Sequence, residues 1–381
     1  MSTRANWSFP TAIRFGAGRI SELAEACATA GIRRPLFVTD RGMAKLPITQ
    51  SSLLLLENAG LSSALFADVQ PNPTDLNLAA GIDAFRSGKH DGVIAFGGGS
   101  ALDLGKLIAF MAGQRRPVWD FEDIADWWTR ADADAIAPSI AVPTTAGTGS
   151  EVGRAAVVTN SEAHVKKIIF HPKILPKVVI SDPELTVGMP GEITAGTGMD
   201  AFAHCLEAYC SPGYHPMCDG IALEGMRLVK ENLLRAYRHG SDIEARGRMM
   251  TAASMGAVAF QKGLGAIHAL SHPVGAIFNT HHGTTNAVVM PFVLRFNRSA
   301  IEARIERAAA YLAIKGGFEG FLDFVLDLRA GIGIPDGLGK LGVSPTRIDE
   351  LVEFAVTDPT AAGNPVPLTK DAARRLYDEC L

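Results

Sequence analysis

Residues 91–106 read DGVIAFGGGSALDLGK, and this stretch decides the fold. The run VIAF, bounded by Asp-Gly on one side and three glycines on the other, is short, apolar and partly β-branched, as a buried strand is. SALDLGK then opens a helix, so the glycines sit in a strand-to-helix turn. Such a turn can present bare backbone N–H groups and the positive end of a helix to a phosphate. It matches neither the dinucleotide fingerprint GxGxxG nor the P-loop GxxxxGK[ST], and a purely structural tight turn is the alternative reading.

Outward from this stretch the same texture repeats. PLFVTD (35–40), PSIAVPTT (138–145) and KVVISDP (177–183) each read as a short buried strand ending in turn residues. Helical spacing falls between the first two strands, as where Thr74 caps DLNLAAGIDAFRSG. Strands alternating with helices predict an α/β domain with a mostly parallel sheet. AAVVTN (155–160) and HVKKIIF (164–170) lie close together and read as a hairpin insertion. PTTAGTGSE (143–151) follows another strand, so two glycine- and hydroxyl-rich loops should meet along the carboxyl edge of the sheet, where open α/β sheets bind ligands. Asp40 ends a strand and suits a ribose diol while repelling a 2′-phosphate, which favours NAD over NADP; a turn or cap role is the competing reading.

From about Gly191 the texture changes to long, apolar-periodic, Ala-rich segments: ITAGTGMDAFAHCLEAYC (193–210), CDGIALEGMRLVKENLLRAY (218–237) and ARGRMMTAASMGAVAFQKG (245–263). These predict an all-helical second half, with MPGE (189–192) as the boundary, hence domains at 1–190 and 191–381. The length of 381 residues, 47% of them hydrophobic, accommodates two such cores. A net charge of −4 argues against a nucleic-acid partner. The start MSTRANWSFPTAIRF lacks the apolar core of about 7–15 residues that a signal peptide needs. No run approaches the roughly 18 apolar residues of a membrane span, so a cytoplasmic location without membrane association is expected. Five thinly spread cysteines form no disulfide framework.

Seven of the ten histidines fall in the second half: His204, His215, His239, His268, His272, His281 and His282. Asp200 and His204 are four residues apart, as are His268 and His272, and each pair projects from one face of a helix. A lone pair of this kind is usually a solvated surface feature. Here Asp200 and His204 sit among Ala201, Phe202, Ala203, Leu206 and Ala208, and burying a carboxylate with several imidazoles is costly unless a cation compensates. A divalent metal is the economical answer. His272 and His281 are as eligible as their neighbours by spacing, and one carboxylate with three imidazoles does not choose between iron and zinc. Cys205, Cys210 and Cys218 lack the tight spacing of a zinc site, and Cys205 projects about 100° from His204 on a helix.

From FGAG (15–18) to about residue 300 the chain resembles the iron-containing (group III) alcohol dehydrogenases, through GGGSALDLGK (97–106), PTTAGTGSEV (143–152), GMDAFAHCLEAY (198–209) and GLGAIHALSHPVGAIFNTHHG (263–283), in the family's order. The resemblance implies a Rossmann-like amino-terminal α/β domain and an all-helical metal-binding domain, an architecture shared with dehydroquinate synthase, with NAD and one divalent ion between them. It implies Asp200, His204, His268 and His282 as metal ligands, with Fe2+ preferred and Zn2+ as the alternative. It places His272 beside the nicotinamide, and it puts nucleotide contacts on Asp40, Gly98, Gly99, Ser100, Asp103, Thr144, Thr145, Thr148, Val157, Lys166 and Leu185. His281 departs from the family's usual Pro at that position. A homodimer is also implied.

The expected reaction is reversible hydride transfer between a primary alcohol or diol, or its aldehyde, and NAD. The metal acts as a Lewis acid toward the alkoxide oxygen, and His272 relays the proton. A dehydroquinate synthase-like lyase would need a basic pocket, whereas the site motifs hold few cations beyond Lys106, Lys166 and Lys167. A maleylacetate reductase-like oxidoreductase is the other rival. The aromatic run WDFEDIADWW (119–128) is expected between sheet strands, and Phe260, Phe278 and His281 are expected on the helical side of the cleft.

Overall fold

The computed structural model describes residues 9, 11–163 and 165–381, so the first eight residues and Pro10, part of the stretch expected not to be a signal peptide, lie outside the described residues. The chain forms two compact units, Phe9–Thr145 with Ser150–Val187, and Ala146–Gly149 with Gly188–Leu381.

The first unit runs β1 (Ala12–Phe15), α1 (Leu23–Ala30), β2 (Pro35–Asp40), α2 (Pro47–Asn58), β3 (Ala64–Val69), α3 (Asp75–Ser87), β4 (Gly92–Gly97), α4 (Gly99–Met111), β5 (Ser139–Pro143), β6 (Ala155–Asn160), β7 (Val165–Phe170) and β8 (Val178–Ser181). Six strands form one parallel sheet in the order β1-β8-β5-β4-β2-β3. Both faces are covered. Leu36, Val38 and Val93 pack with Leu104, Leu107 and Ile108 of α4, whereas Phe37, Ile94 and Phe96 pack with Leu23 of α1 and Leu56 of α2. That double burial is why the central strands are continuous apolar runs. Thr74 caps α3 in a capping box with Asn77. The antiparallel hairpin β6–β7 pairs Val157 with Ile168 and Thr159 with Lys166, and β6 lies against α4. WDFEDIADWW falls between β4 and β5 in short 3-10 turns.

From β2 the chain proceeds outward to β3, and from β4 it proceeds in the opposite direction to β5. The carboxyl ends of β2 and β4 therefore flank the switch point of a doubly wound sheet, the usual ligand crevice of such folds.

The second unit contains α5 (Gly191–Cys210), α6 (Pro216–Arg238), α7 (Ile243–Ala259), α8 (Ala266–Phe278), α9 (His282–Tyr311), α10 (Gly317–Gly331), α11 (Ile348–Thr357) and α12 (Lys370–Cys380). α5 is its axis: every residue from Thr194 to Cys210 is buried, against α6, α7 and α9. All five cysteines are free and buried. No helix among the described residues is long and apolar enough to cross a membrane.

Candidate metal centre and nucleotide turn

Three elements of the helical unit bring the polar residues together. α5 carries Asp200, His204 and Glu207 at i, i+4 and i+7, one face of a helix. α8 carries His268 and His272, and α9 begins at His282. Gly283 allows that last approach: a Cβ there would stand 2.0 Å from the Gly196 carbonyl oxygen and 2.9 Å from Asp200 Cβ.

The donors converge on one oxygen. Nε2 of His204 and of His268 each lie 3.8 Å from Asp200 Oδ1, and His282 Nε2 lies 3.5 Å from it. Tetrahedral donors around an ion with bonds of ~2.1 Å stand about 3.4 Å apart. The Asp200, His204 and His268 donors, all within 4.8 Å of one another, come near that spacing, and His282 reaches Asp200 from α9 but stands outside that mutual group. Asp200 and His268 are 3% and 1% exposed. The donor chemistry and spacing fit a divalent ion. Asn286 of α9 points its amide into the set, with Nδ2 donating to Asp200 Oδ1 at 2.9 Å and lying 3.2 Å from His282 Nε2 and 3.3 Å from His268 Nε2; its Oδ1 accepts from Ser271.

Burial opposes the Asp200 charge, yet the surrounding imidazoles of His204, His282 and His268 hold the carboxyl well below the usual carboxylate range. Burial pushes the His204 imidazole down to about 4. Burial also opposes protonation of His268, but Glu207 and Asp200 override it and hold that ring up at about 9. Two stacked imidazoles 4.7 Å apart thus differ in proton affinity because, although Asp200 and Glu207 act on both, only His268 is hydrogen-bonded to Glu207.

His272 is set apart from the donor cluster. Its Nδ1 lies 2.8 Å from Asp358 Oδ2, and its ring stacks on His282 at 5.2 Å. His281 is the N-cap of α9, its ring accepting from Thr284 N. Phe260 meets the His204 ring edge-on, and Phe278 lies under the Arg347 guanidinium.

In the α/β unit, the turn after β4 has Gly97 at φ 144°, where a Cβ would strike Ala101, and Gly98 is the N-cap of α4 without any side-chain cap. The first N–H groups of α4, from Gly99 and Ser100, therefore have no capping side chain, which suits an anion. Thr144 N donates to Gly97 O, and the Thr145 side chain borders Gly98, so these two loops meet at the sheet edge. Asp40 ends the neighbouring β2, with Oδ1 accepting from Gly42 N and Met43 N, both at 2.8 Å; it does cap its own turn. Asp103 ties α4 to β6, accepting from Ser150 Oγ at 2.5 Å and Val157 N at 3.0 Å. Lys166 lies on β7, and Leu185 is buried in the 3-10 turn after β8. Thr148 belongs to the segment that folds with the helical unit. Lys106 is sealed inside, donating to the Ser150 and Ala155 carbonyls, so this cation is not offered to a phosphorylated substrate.

Sequence reasoning did not single out Glu207, Asn286, Asp358 or Asn364. Glu207 had a signal, since it extends the Asp200–His204 face by three residues. Asp358 and Asn364 had none, because they reach the site across long stretches of chain.

A switch-point crevice with an uncapped glycine turn, joined in one chain to a carboxylate–imidazole cluster, is the construction of oxidoreductases that combine a nucleotide with a metal. The sequence matches the iron-containing alcohol dehydrogenase profile over residues 10–183 and the carboxyl-terminal profile of the same family over residues 194–381. The chain belongs to the iron-containing alcohol dehydrogenase family of oxidoreductases. It is 39% identical to the 4-hydroxybutyrate dehydrogenase of Cupriavidus necator, covering 97% of this chain and 98% of that one. It is 34% identical to the NAD-dependent methanol dehydrogenase of Bacillus methanolicus, with 97% and 98% covered. The crystal structure of a 1,3-propanediol oxidoreductase superposes with a TM-score of 0.94 at 34% identity, over 99% of this chain and 100% of that one.

Proposed function

We propose that this protein is an NAD-dependent alcohol dehydrogenase that interconverts a small primary alcohol or diol and its aldehyde, with one divalent ion held by Asp200, His204, His268 and His282. The observation that carries it is the convergence of three Nε2 atoms to within 3.5–3.8 Å of Oδ1 of the buried Asp200. Fe2+ is favoured over Zn2+ by the family. The relatives act on primary hydroxyls by name, as in 4-hydroxybutyrate and methanol, which supports that substrate class.

When bound, the ion supplies a Lewis acid and the nicotinamide a hydride acceptor. The chain's residues do the rest. Asp200 supplies the anionic charge that neutral imidazoles lack. Gly98, Gly99 and Ser100 offer backbone N–H groups to the nucleotide phosphates, bordered by Thr144 and Thr145, with Thr148, Val157, Lys166 and Leu185 as the further contacts. Asp40 receives the ribose hydroxyls. Oxidising an alcohol also releases a proton, and His272 is built to take it: its Nδ1–H donates to Asp358, which leaves the Nε2 lone pair to accept. The His272 side chain is 20% exposed, so a proton can pass on to solvent.

The test is metal analysis of anaerobically purified protein combined with NADH absorbance on a panel of primary alcohols and diols, before and after chelation. One equivalent of metal, loss of activity with chelator and loss of metal in Asp200→Asn are expected. Chelator-resistant activity, or full metal content in Asp200→Asn, refutes the assignment.

A further inference from the structure

The first turn of α8 is capped from outside. Its N-cap, Gly265, has no side chain, so the helix cannot satisfy its own leading N–H groups. Two distant side chains do so: Asn364 Oδ1 accepts from Ala266 N at 3.0 Å, and Glu207 Oε1 accepts from Ile267 N at 2.6 Å. Glu207 does more than cap. Its other oxygen, Oε2, accepts from Nδ1 of His268 at 2.6 Å, so one carboxylate bridges a helix N-terminus and the imidazole of the next residue.

Glu207 is 6% exposed, and no lysine or arginine pairs with it among the described residues. A buried carboxylate without a lysine or arginine partner is expensive to retain unless its hydrogen bonds are used. Here they fix two properties of His268 together. Holding Nδ1 as the donor reserves Nε2, which faces Asp200 and His204, for an ion that displaces its proton, and anchoring to Ile267 N sets where the ring stands.

We infer that Glu207 is the positioning residue of the metal centre, and that its bidentate bridge fixes the tautomer and placement of His268. The inference rests on the proposed reading of Asp200, His204, His268 and His282 as one ligand set. It also makes metal affinity depend on the α8 cap, because both use the same side chain. The carboxylate touches neither substrate nor cofactor.

Glu207→Gln separates the two bonds. A glutamine can keep one acceptor for Ile267 N, but its amide then faces Nδ1 with a donor and drives His268 to the opposite tautomer, with the lone pair turned away from the site. The probe is Zn2+, titrated into the metal-free full chain against a chromophoric chelator, with the melting temperature of the metal-free protein measured in parallel. The expected result is affinity lower by roughly 10–100-fold, the usual cost of losing a ligand's hydrogen-bond partner, with the metal-free melting temperature little changed. Wild-type affinity in Glu207→Gln overturns the inference. Should that variant fail to fold, Glu207→Asp serves: it keeps the charge but is one methylene too short to span both partners, so weakened Zn2+ binding is again expected. Full affinity in Glu207→Asp overturns the bridge, since charge alone would then suffice. Asp200→Asn distinguishes the two layers of the argument. If Asp200→Asn loses Zn2+ while Glu207→Gln retains it, only the role of Glu207 fails; if neither variant loses it, the ligand set itself is wrong.

Discussion

Gly283→Ala is the sharpest test of how the centre is held together, because it changes no donor. The added methyl would stand 2.0 Å from the Gly196 carbonyl oxygen and 2.7 Å from its carbon, where ordinary contact begins at 3.4 Å. It must retreat by about 1.4 Å from backbone in the middle of α5, which no rotamer change can provide. The first turn of α9 moves instead, and His282 is its first residue. Overpacking of this kind costs about 1–3 kcal/mol, and the backbone obstacle places this case toward the upper end. For a unit of this size each kcal/mol lowers the melting temperature by about 2–4 °C, so a fall of roughly 4–10 °C is expected. Metal donors tolerate displacements of only about 0.2 Å, so Zn2+ affinity should also fall at least about tenfold. Differential scanning calorimetry of the metal-free protein and chelator competition measure the two effects separately. A melting temperature within about 1 °C of wild type, with unchanged Zn2+ affinity, would show that α9 is not pinned to α5 at this glycine.

Four further outcomes are expected. His272→Gln should retain its metal and bind NAD normally, while alcohol oxidation slows by about 10²–10⁴-fold and partly recovers at high pH; metal loss would make His272 a ligand. Asp358→Asn should slow the reaction less, since the imidazole survives without its orienting partner. Asp40→Gly should raise kcat/KM for NADP and lower it for NAD, and a wild-type protein that already prefers NADP would return Asp40 to its turn-capping role alone. Burial pushes the thiols of Cys27, Cys210 and Cys218 up to about 12. The unfolded chain therefore loses these protons first, and stability should decline as pH rises from the ordinary thiol value of about 8.5 toward 12. Urea midpoints at pH 8 and pH 10 test this, and equal midpoints would contradict it.

What could be read in advance depended on how strongly burial imprints a pattern. The central strands β2, β4, β5 and β8 are covered on both faces and stand out as apolar runs, whereas the edge strands β1 and β3 escaped notice. Their side chains explain why: Ile13, Phe15 and Leu65 are 38%, 46% and 42% exposed, so neither a continuous apolar run nor a clean alternation marks them. The donors on α5 and α8 were legible because helical spacing brings i and i+4 together. Glu207 shares that face, but in sequence a glutamate near a helix end looks like a solvated charge. Asp358 stands 86 residues from His272, and Asn364 stands 98 from Ala266; contacts of that range leave no periodic trace. The carboxyl-terminal segment therefore gave no sign that it braces the start and the middle of α8.

The allotment of Ala146–Gly149 to the helical unit has a consequence for modularity. Gly147 packs so closely on Thr197 of α5 that a Cβ would lie 2.7 Å from its carbonyl oxygen, and Gly149 is as tight against Ala253 of α7. A gene fragment starting at Gly188 would encode every proposed metal donor yet omit this tetrapeptide, whose glycines pack against α5 and α7. The ligand-bearing half is thus not a transferable cassette: recombination at the apparent boundary would export the residues and leave behind part of the wall that shapes them.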